Sequence, residues 1–419
     1  MTTVKAEILA VGDELLYGQT LDTNSHYISG EMDKIGVRVV RRSTVGDNEA
    51  DILKAFAEAE SRADIVLISG GLGPTSDDLT KPCLAKYFGC GIRIHEEALK
   101  EVTEFFRKRG RELTELNRQQ AALPECCEKI TNPLGTAPGM WFDRNGKVFV
   151  SMPGVPHEMV HMVQHEVIPR IRRRFTLPVI AHQMIRTAGI GESFLAEKIA
   201  PWEESLPPHI HLAYLPSEAG VKLRLTAFGD DPEKIRREFE ALCQSILPYA
   251  GPYIFGFTDD PLEVVLGKML IEKGLTLSAA ESCTGGHVSH TITSVPGSSA
   301  YFLGSVVAYA NAIKIKALGV NSDTLAQYGA VSEQTVAEMA IGVRQRFGTD
   351  IGVATSGIAG PDGGTPEKPV GTIWIACADR NGVETRKLHF ASARLVNIKL
   401  TTTSVLNLVR LRIKKGVKD

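Results

Sequence analysis

The sequence predicts a multidomain α/β protein in which two sheet-and-helix regions flank a small α+β domain. Three observations carry that expectation. The chain has 419 residues, more than one core usually holds, since domains settle near ~100–200 residues. Short apolar runs alternate with amphipathic helical stretches, the pattern of parallel sheets covered by helices. Between two such regions lies a β-α-β-β-α-β order, which predicts a split-βαβ sandwich.

The first region, placed at residues 1–170, opens on the strand KAEILAVG. A helical stretch at 24–36, the strand VRVVRRSTV, a helix at 48–62 and the strand DIVLISGG follow. In HEEALKEVTEFFRKRG, Ala98, Leu99, Val102, Phe105 and Phe106 share one helical face. The central domain, at 176–257, contains GVKLRLTAF. There Val221, Leu223 and Leu225 alternate with Lys222, Arg224 and Thr226, which predicts a strand with one wet face. The third region, at 260–419, opens on a helix with Pro261 as first residue and Gly274 at its end. Its strands are LTLSAA, a buried-looking stretch from Gly304 to Tyr309, DIGVATSG, VGTIWIACA and VETRKLHFA, and Ser332 N-caps the helix that follows it.

Composition narrows the function classes. The 47 basic and 49 acidic side chains leave a formal charge of −2, so no global field draws the protein to nucleic acid or an anionic membrane. The basic residues Lys222, Arg224 and Arg172 to Arg174 lack interleaved aromatics, and small molecules are the expected partners. No run reaches the ~18–20 apolar residues of a membrane helix, and the first residues lack a signal-peptide core. The expected location is the cytoplasm. Seven scattered cysteines without C-x-x-C spacing argue against a disulfide framework or a structural zinc site.

Three clusters in the third region point to chemistry. AAESCTGGHVSH places Ser282 between a strand and a glycine pair, where Thr284, Gly285 and Gly286 are candidate donors to a developing oxyanion. His287 and His290 lie where a helix has already begun and rank low as bases. Cys283 is expected to point away from Ser282 as a small core residue. VAYANAIKIKALGV supplies Tyr309, Asn311 and Lys314. A lysine shielded from water loses its proton more readily and can serve a serine as general base, whereas an ordinary helix lysine is simply solvated. TSGIAGPDGGTPEKPVGT gathers Gly357, Gly360 and Lys368 in a loop suited to an anion, or in a plain surface loop.

Together these clusters resemble the nicotinamide-nucleotide amidase domain at the C-terminus of the competence/damage-inducible CinA family, across about 260–415. The resemblance implies an α/β/α fold and hydrolysis of the carboxamide of nicotinamide mononucleotide to nicotinic acid mononucleotide and ammonia. It implies Ser282 as nucleophile, Lys314 as its base and Tyr309 as an assisting group, with no cofactor for that site.

The first region carries its own candidates. VGDELLYGQTLDTNS places Glu14 and Asn24 just after a strand, and SGGLGPTSDDLT adds Gly70, Gly71, Gly73, Thr75, Asp77 and Asp78 after another. The glycines suit a phosphate or pterin edge, and the carboxylates a divalent cation. MPGVPHEM brings Glu158. This region is similar to the molybdopterin-binding-like domain of the same family, a three-layer α/β/α fold. The similarity implies a metal-dependent ADP-ribose pyrophosphatase with a magnesium or cobalt ion, helped by potassium, and Asp77, Asp78, Glu14 and Glu158 as metal ligands. A homodimer is expected, with the central domain as spacer or dimerisation element. Two readings from other classes stay open: a non-catalytic nucleotide sensor or competence scaffold, and a pterin-binding protein.

Overall fold

Lys5–Val11 forms strand β1 because its apolar residues serve two faces at once. Ile8 enters one hydrophobic cluster with Ile28, Met32 and Trp141, while Leu9 enters another with Ile52, Phe56 and Phe149. A strand buried on both faces reads as a continuous apolar run and belongs at the centre of a helix-covered sheet. β1 pairs in parallel with β2 (Arg38–Val45) and β3 (Ile65–Ser69). With β6 (Glu128–Ile130), β7 (Gly139–Arg144) and β8 (Lys147–Met152) the order is β2-β1-β3-β8-β7-β6. β8 runs parallel to β3, whereas β7 and β6 run antiparallel. The fully buried Glu7 is neutralised by a two-pronged pair with Arg62, at 2.9 Å on each oxygen.

The computed structural model describes residues 4–75, 77–217, 220–390 and 393–416. It divides into two compact units: Met1–Ala181 with Ala227–Ile235, and His182–Thr226 with Arg236–Asp419. In the first, the short strands β4 (Ile92–Ile94) and β5 (Ala122–Pro124) pair antiparallel. That pairing sets Cys90 beside Cys126, and the two form a disulfide across 36 residues. The scattered cysteines argue against a disulfide framework, and this single bridge is one that their pattern does not foresee. The partners are brought together by a strand pairing remote in sequence, which spacing does not reveal.

The second unit holds most of one sheet and the whole of another. β9 (Val179–Thr187), β10 (Ile210–Ser217), β11 (Gly220–Gly229) and β12 (Ile254–Gly256) are ordered β10-β11-β9-β12. Val221, Leu223 and Leu225 are buried, as their alternation predicts. This sheet is tied to the C-terminal helix Arg394–Gly416 through the fully buried Arg410, which donates to the Ile254 and Pro252 carbonyls. The central segment therefore packs as part of the same unit.

The larger sheet comprises β13 (Leu277–Glu281), β14 (Phe302–Val307), β15 (Ile351–Gly357), β16 (Thr372–Asp379) and β17 (Gly382–His389), ordered β14-β13-β15-β16-β17. β14, β13 and β15 are parallel, and β16 and β17 antiparallel. Leu277 and Ala279 join a cluster with Leu266, Val288 and Val405, whereas Ala280 joins Val336, Met339 and Val343 on the opposite face. The opening helix is Leu262–Lys273, with Pro261 as its N-cap and Gly274 as a left-handed C-cap at φ +62°. Ser332 caps the Glu333–Phe347 helix by accepting from the Thr335 N–H. β14 departs from expectation. It is the sheet edge, with Leu303 and Val307 each 47% exposed, because the sheet ends there. Among the described residues, no helix is long and apolar enough to cross a membrane.

Candidate active sites

In the second unit, β13 ends on Glu281 and delivers Ser282 at the carboxyl edge of the parallel part of the sheet. The Ser282 N–H donates to the Thr355 carbonyl at 3.0 Å, which pins the residue to neighbouring β15. Gly285 and Gly286 have φ of +59° and +102°, a backbone that residues with a Cβ rarely adopt. They turn the chain into the His287–Thr293 helix.

Lys314 comes to Ser282 from the neighbouring edge of the sheet, on the Asn311–Leu318 helix that follows β14. Only 1% of it is exposed. Its Nζ donates to Ser282 Oγ at 3.2 Å, to the Ala308 carbonyl at 2.7 Å and to the Tyr309 carbonyl at 3.4 Å. Burial holds its pKa below the usual lysine range. The two carbonyls position the amine and leave its third contact aimed at the hydroxyl.

The other predicted residues divide into those at this centre and those used elsewhere. The Tyr309 side chain is exposed, and its hydroxyl accepts from Arg394 Nη2 at 3.2 Å. Arg394 also donates to the Gly360 carbonyl at 2.7 Å, linking the Tyr309 segment to the glycine loop. Asn311 lies exposed in the first turn of the Lys314 helix. Gly357 ends β15 against Ile373 and Thr372 and serves packing, since a Cβ there would meet Ile373 at 2.6 Å. Lys368 gives its ammonium to the Tyr328 carbonyl at 2.9 Å. Two expected donors are corrected: the Gly285 N–H is spent on the Ser282 carbonyl and the Gly286 N–H on Glu281. Cys283 is buried in the core, which pushes its thiol up to about 12. His287 engages Thr402 through Nδ1 at 2.9 Å.

Sequence reasoning missed Glu281 and Arg394. Glu281 is fully buried in the last position of β13. A lone glutamate that interrupts an apolar strand immediately before a candidate nucleophile was the available signal.

In the first unit, β1, β3 and β8 lie side by side and end together, so the segments after Val11, Ser69 and Met152 meet at one edge. Asn24 ties them, donating from Nδ2 to Ser69 Oγ at 2.9 Å and to the Gly154 carbonyl at 2.7 Å. Gly70, at φ +109°, crosses so close to β1 that a Cβ would lie 2.1 Å from the Val11 carbonyl oxygen. A cavity of about 470 Å³ opens there, lined by Glu14, Asn24, Asp47, Gly70, Gly71, Gly73, Asp77, Asp78, Gln120 and Glu158 among others. Its lining contains carboxylates and, among the described residues, no lysine, arginine or histidine. The crowding is felt at Asp47, whose pKa is raised by burial and by Asp13, Glu14 and Asp77. The wall also holds buried side-chain oxygens with no hydrogen-bond partner, Asn24 Oδ1 and Gln120 Oε1.

Of the four expected metal ligands, three already have partners, Asp77 through a side-chain hydrogen bond with Thr75 that lowers its pKa. Asp78 accepts from the Gly73 N–H at 2.7 Å and from the Thr75 N–H and hydroxyl at 3.0 and 2.6 Å, so it organises the glycine loop. Glu158 accepts from Asn132 Nδ2 at 2.7 Å. Among the described residues, no three acidic, histidine or cysteine side chains come together as a metal-holding group. Acidic side chains nevertheless crowd the lining, with the partly buried Lys81, bonded to the Gln120 carbonyl, acting on Asp78, and that excess of negative charge favours a cation.

Comparison with known proteins bears on both regions. Residues 259–413 match the family model described as the CinA C-terminal domain, residues 7–173 the probable molybdopterin binding domain, and residues 182–256 the damage-inducible protein CinA KH domain. A CinA-like protein of Cytophaga hutchinsonii is 50% identical over 414 residues, covering 99% of each chain. One of Flavobacterium psychrophilum is 43% identical over 415 residues, again covering 99% of each. Among solved structures, a CinA protein with unknown function from Thermoplasma acidophilum is 36% identical, covering 41% of this chain and 98% of that one at a TM-score of 0.37.

Proposed function

From the premise that this chain belongs to the CinA family, we infer that its second unit is a serine–lysine amidohydrolase acting on the carboxamide of nicotinamide mononucleotide. The observation that carries the reading is the 3.2 Å contact between the buried Lys314 amine and Ser282 Oγ. In its neutral form the amine takes the Ser282 proton as Oγ attacks the carboxamide carbon. The resulting oxyanion collapses, the C–N bond breaks, and the proton leaves with nitrogen as ammonia. Water, deprotonated by the same amine, then hydrolyses the acyl-serine ester and returns the proton to Oγ, giving nicotinic acid mononucleotide. Arg394, bonded to the Tyr309 hydroxyl and the Gly360 carbonyl, offers a cation to the substrate's phosphate. The test is ammonia release from nicotinamide mononucleotide by the wild type, Ser282→Ala and Lys314→Ala proteins. Full activity in both variants rules the mechanism out, and tight nucleotide binding without turnover favours a sensor.

A second reading concerns the first unit: hydrolysis of ADP-ribose to AMP and ribose 5-phosphate. It rests on the acidic cavity of about 470 Å³, which a diphosphate enters only with a cation to offset its charge. Glu14, Asp47 and Asp77 line the cavity and set its charge, and a cation brought in with the diphosphate would supply charge neutralisation at phosphate oxygens. The expectation for the glycine loop is corrected in part: the Gly70 and Gly73 N–H groups go to the Met152 carbonyl and to Asp78, and that of Gly71, without an acceptor among the described residues, is left for a phosphate. AMP formation from ADP-ribose with magnesium, cobalt or neither ion, each with and without potassium, tests it. Displacement of a bound pterin without cleavage of ADP-ribose favours the pterin-binding alternative.

A further inference from the structure

A fully buried carboxylate with no ion-pair partner among the described residues is costly unless every lone pair is satisfied. Glu281 is such a group, and its partners all belong to the turn that carries Ser282. Its Oε2 accepts from Thr284 Oγ1 at 2.8 Å, the Gly286 N–H at 2.9 Å and the Val288 N–H at 3.0 Å. Its Oε1 accepts from the Ser289 N–H at 2.8 Å and from the Ser289 hydroxyl. Thr284 in turn bonds Thr355 on β15 at 2.7 Å, so the clamp is anchored to the sheet.

Accounting for each backbone donor of the turn shows what the clamp leaves. The Ser282 N–H goes to Thr355, that of Gly285 to Ser282, that of His287 to Thr284 and that of His290 to Gly286. Those of Gly286, Val288 and Ser289 go to Glu281. The N–H groups of Cys283 and Thr284 have no backbone or side-chain acceptor among the described residues. The helix start is closed to a substrate anion because the protein's own carboxylate fills it. The N–H after a nucleophile is also the usual donor to a tetrahedral oxyanion.

We propose that Glu281 is the positioning residue of the nucleophile turn, and that by consuming its other donors it presents the Cys283 and Thr284 N–H groups to the carboxamide oxygen. The proposal rests on the amidase reading, and its test separates the two. Ammonia release is measured for wild type, Glu281→Gln and Ser289→Ala. In parallel, a fluorophosphonate reports Ser282 reactivity: Oγ bonds to phosphorus, fluoride leaves, and peptide mass spectrometry places the adduct. Glu281→Gln turns an NH2 toward donors, so kcat and the labelling rate both fall by about 100-fold, the scale of one lost oxyanion donor, while KM stays within about threefold. Ser289→Ala, which removes one hydroxyl from the clamp, lowers both by at least about threefold. This variant decides the matter if Glu281→Gln does not fold. Unchanged labelling in the folded variants, a loss confined to KM, or no labelling of Ser282 in the wild type overturns the proposal. A wild type that labels but releases no ammonia refutes the amidase reading alone, and the labelling rates then decide the role of Glu281.

Discussion

Replacing Lys314 with methionine separates catalysis from folding more cleanly than any other change at this centre. Among the described residues, the Lys314 Nζ hydrogen-bonds Ser282 Oγ and the Ala308 and Tyr309 carbonyls, so its loss removes the proposed base and leaves the rest of the centre in place. A positioned general base contributes ~10²–10⁴-fold, and kcat falls by that factor with KM little changed. Stability moves less, because two effects oppose. Taking a buried ammonium away relieves its desolvation cost, while the carbonyls lose a donor, each worth about 1–3 kcal/mol. The melting temperature is expected to stay within a few degrees. The pH profile supplies an independent sign. Only the neutral amine accepts a proton, and burial lowers the pKa of Lys314. Wild-type kcat/KM therefore rises with pH and levels off below ~10.4, the usual lysine value. The residual activity of Lys314→Met lacks that rise. Coupled ammonia assays from pH 6 to 10 measure both. A variant within tenfold of wild type, or a wild-type profile that falls across this range, refutes Lys314 as the base.

Three further outcomes follow from other parts of the molecule. Gly70→Ala forces a Cβ to within 2.1 Å of the Val11 carbonyl at φ +109° and is expected to cost about 3 kcal/mol. It is read as an earlier urea transition, and an unchanged midpoint contradicts the close approach. Opening Cys90–Cys126 by the double substitution to serine frees a 36-residue loop and lowers stability by about 2–4 kcal/mol under oxidising conditions. With a reductant present the wild type loses the same advantage, and equal stability of both proteins in both states refutes the link. Lys81, whose ammonium donates to the Gln120 carbonyl, is lowered to about 8 by burial. Between pH 8 and ~10.4 the unfolded state binds the proton that the folded state has released, so stability from this group rises with pH across that window. A 13Cε NMR titration of Lys81 with a midpoint above 10 contradicts it.

Most of the architecture was legible because its signals are local. The run KAEILAVG reads as a strand buried on both faces, GVKLRLTAF as one with a wet face, and Gly274 and Ser332 mark helix ends by their backbone or capping chemistry. What escaped depends on partners distant in sequence. The Cys90–Cys126 pairing needs β4 beside β5. The exposure of β14 depends on its being the last strand of its sheet, a property of topology that its apolar composition does not encode. The same limit governs the candidate sites. Residue type and spacing single out Ser282 and Lys314, but whether a given backbone N–H is free for a ligand depends on every acceptor around it.

That limit explains why the glycine pair misleads as an anion cradle. Gly285 and Gly286 follow a strand and precede a helix, the context in which glycine backbones bind anions. Here the Glu281 carboxylate, one residue before Ser282, takes the Gly286 N–H at 2.9 Å and the Val288 N–H at 3.0 Å, while the Gly285 N–H goes to the Ser282 carbonyl. A side chain that arrives with the strand occupies the helix start before any substrate does. The glycines are needed for their left-handed backbone, which lets the chain fold over Glu281. The pattern ESCTGG therefore specifies a self-filled turn that sets the Ser282 hydroxyl beside Lys314. It resembles a phosphate loop in composition and differs from one in where the negative charge comes from.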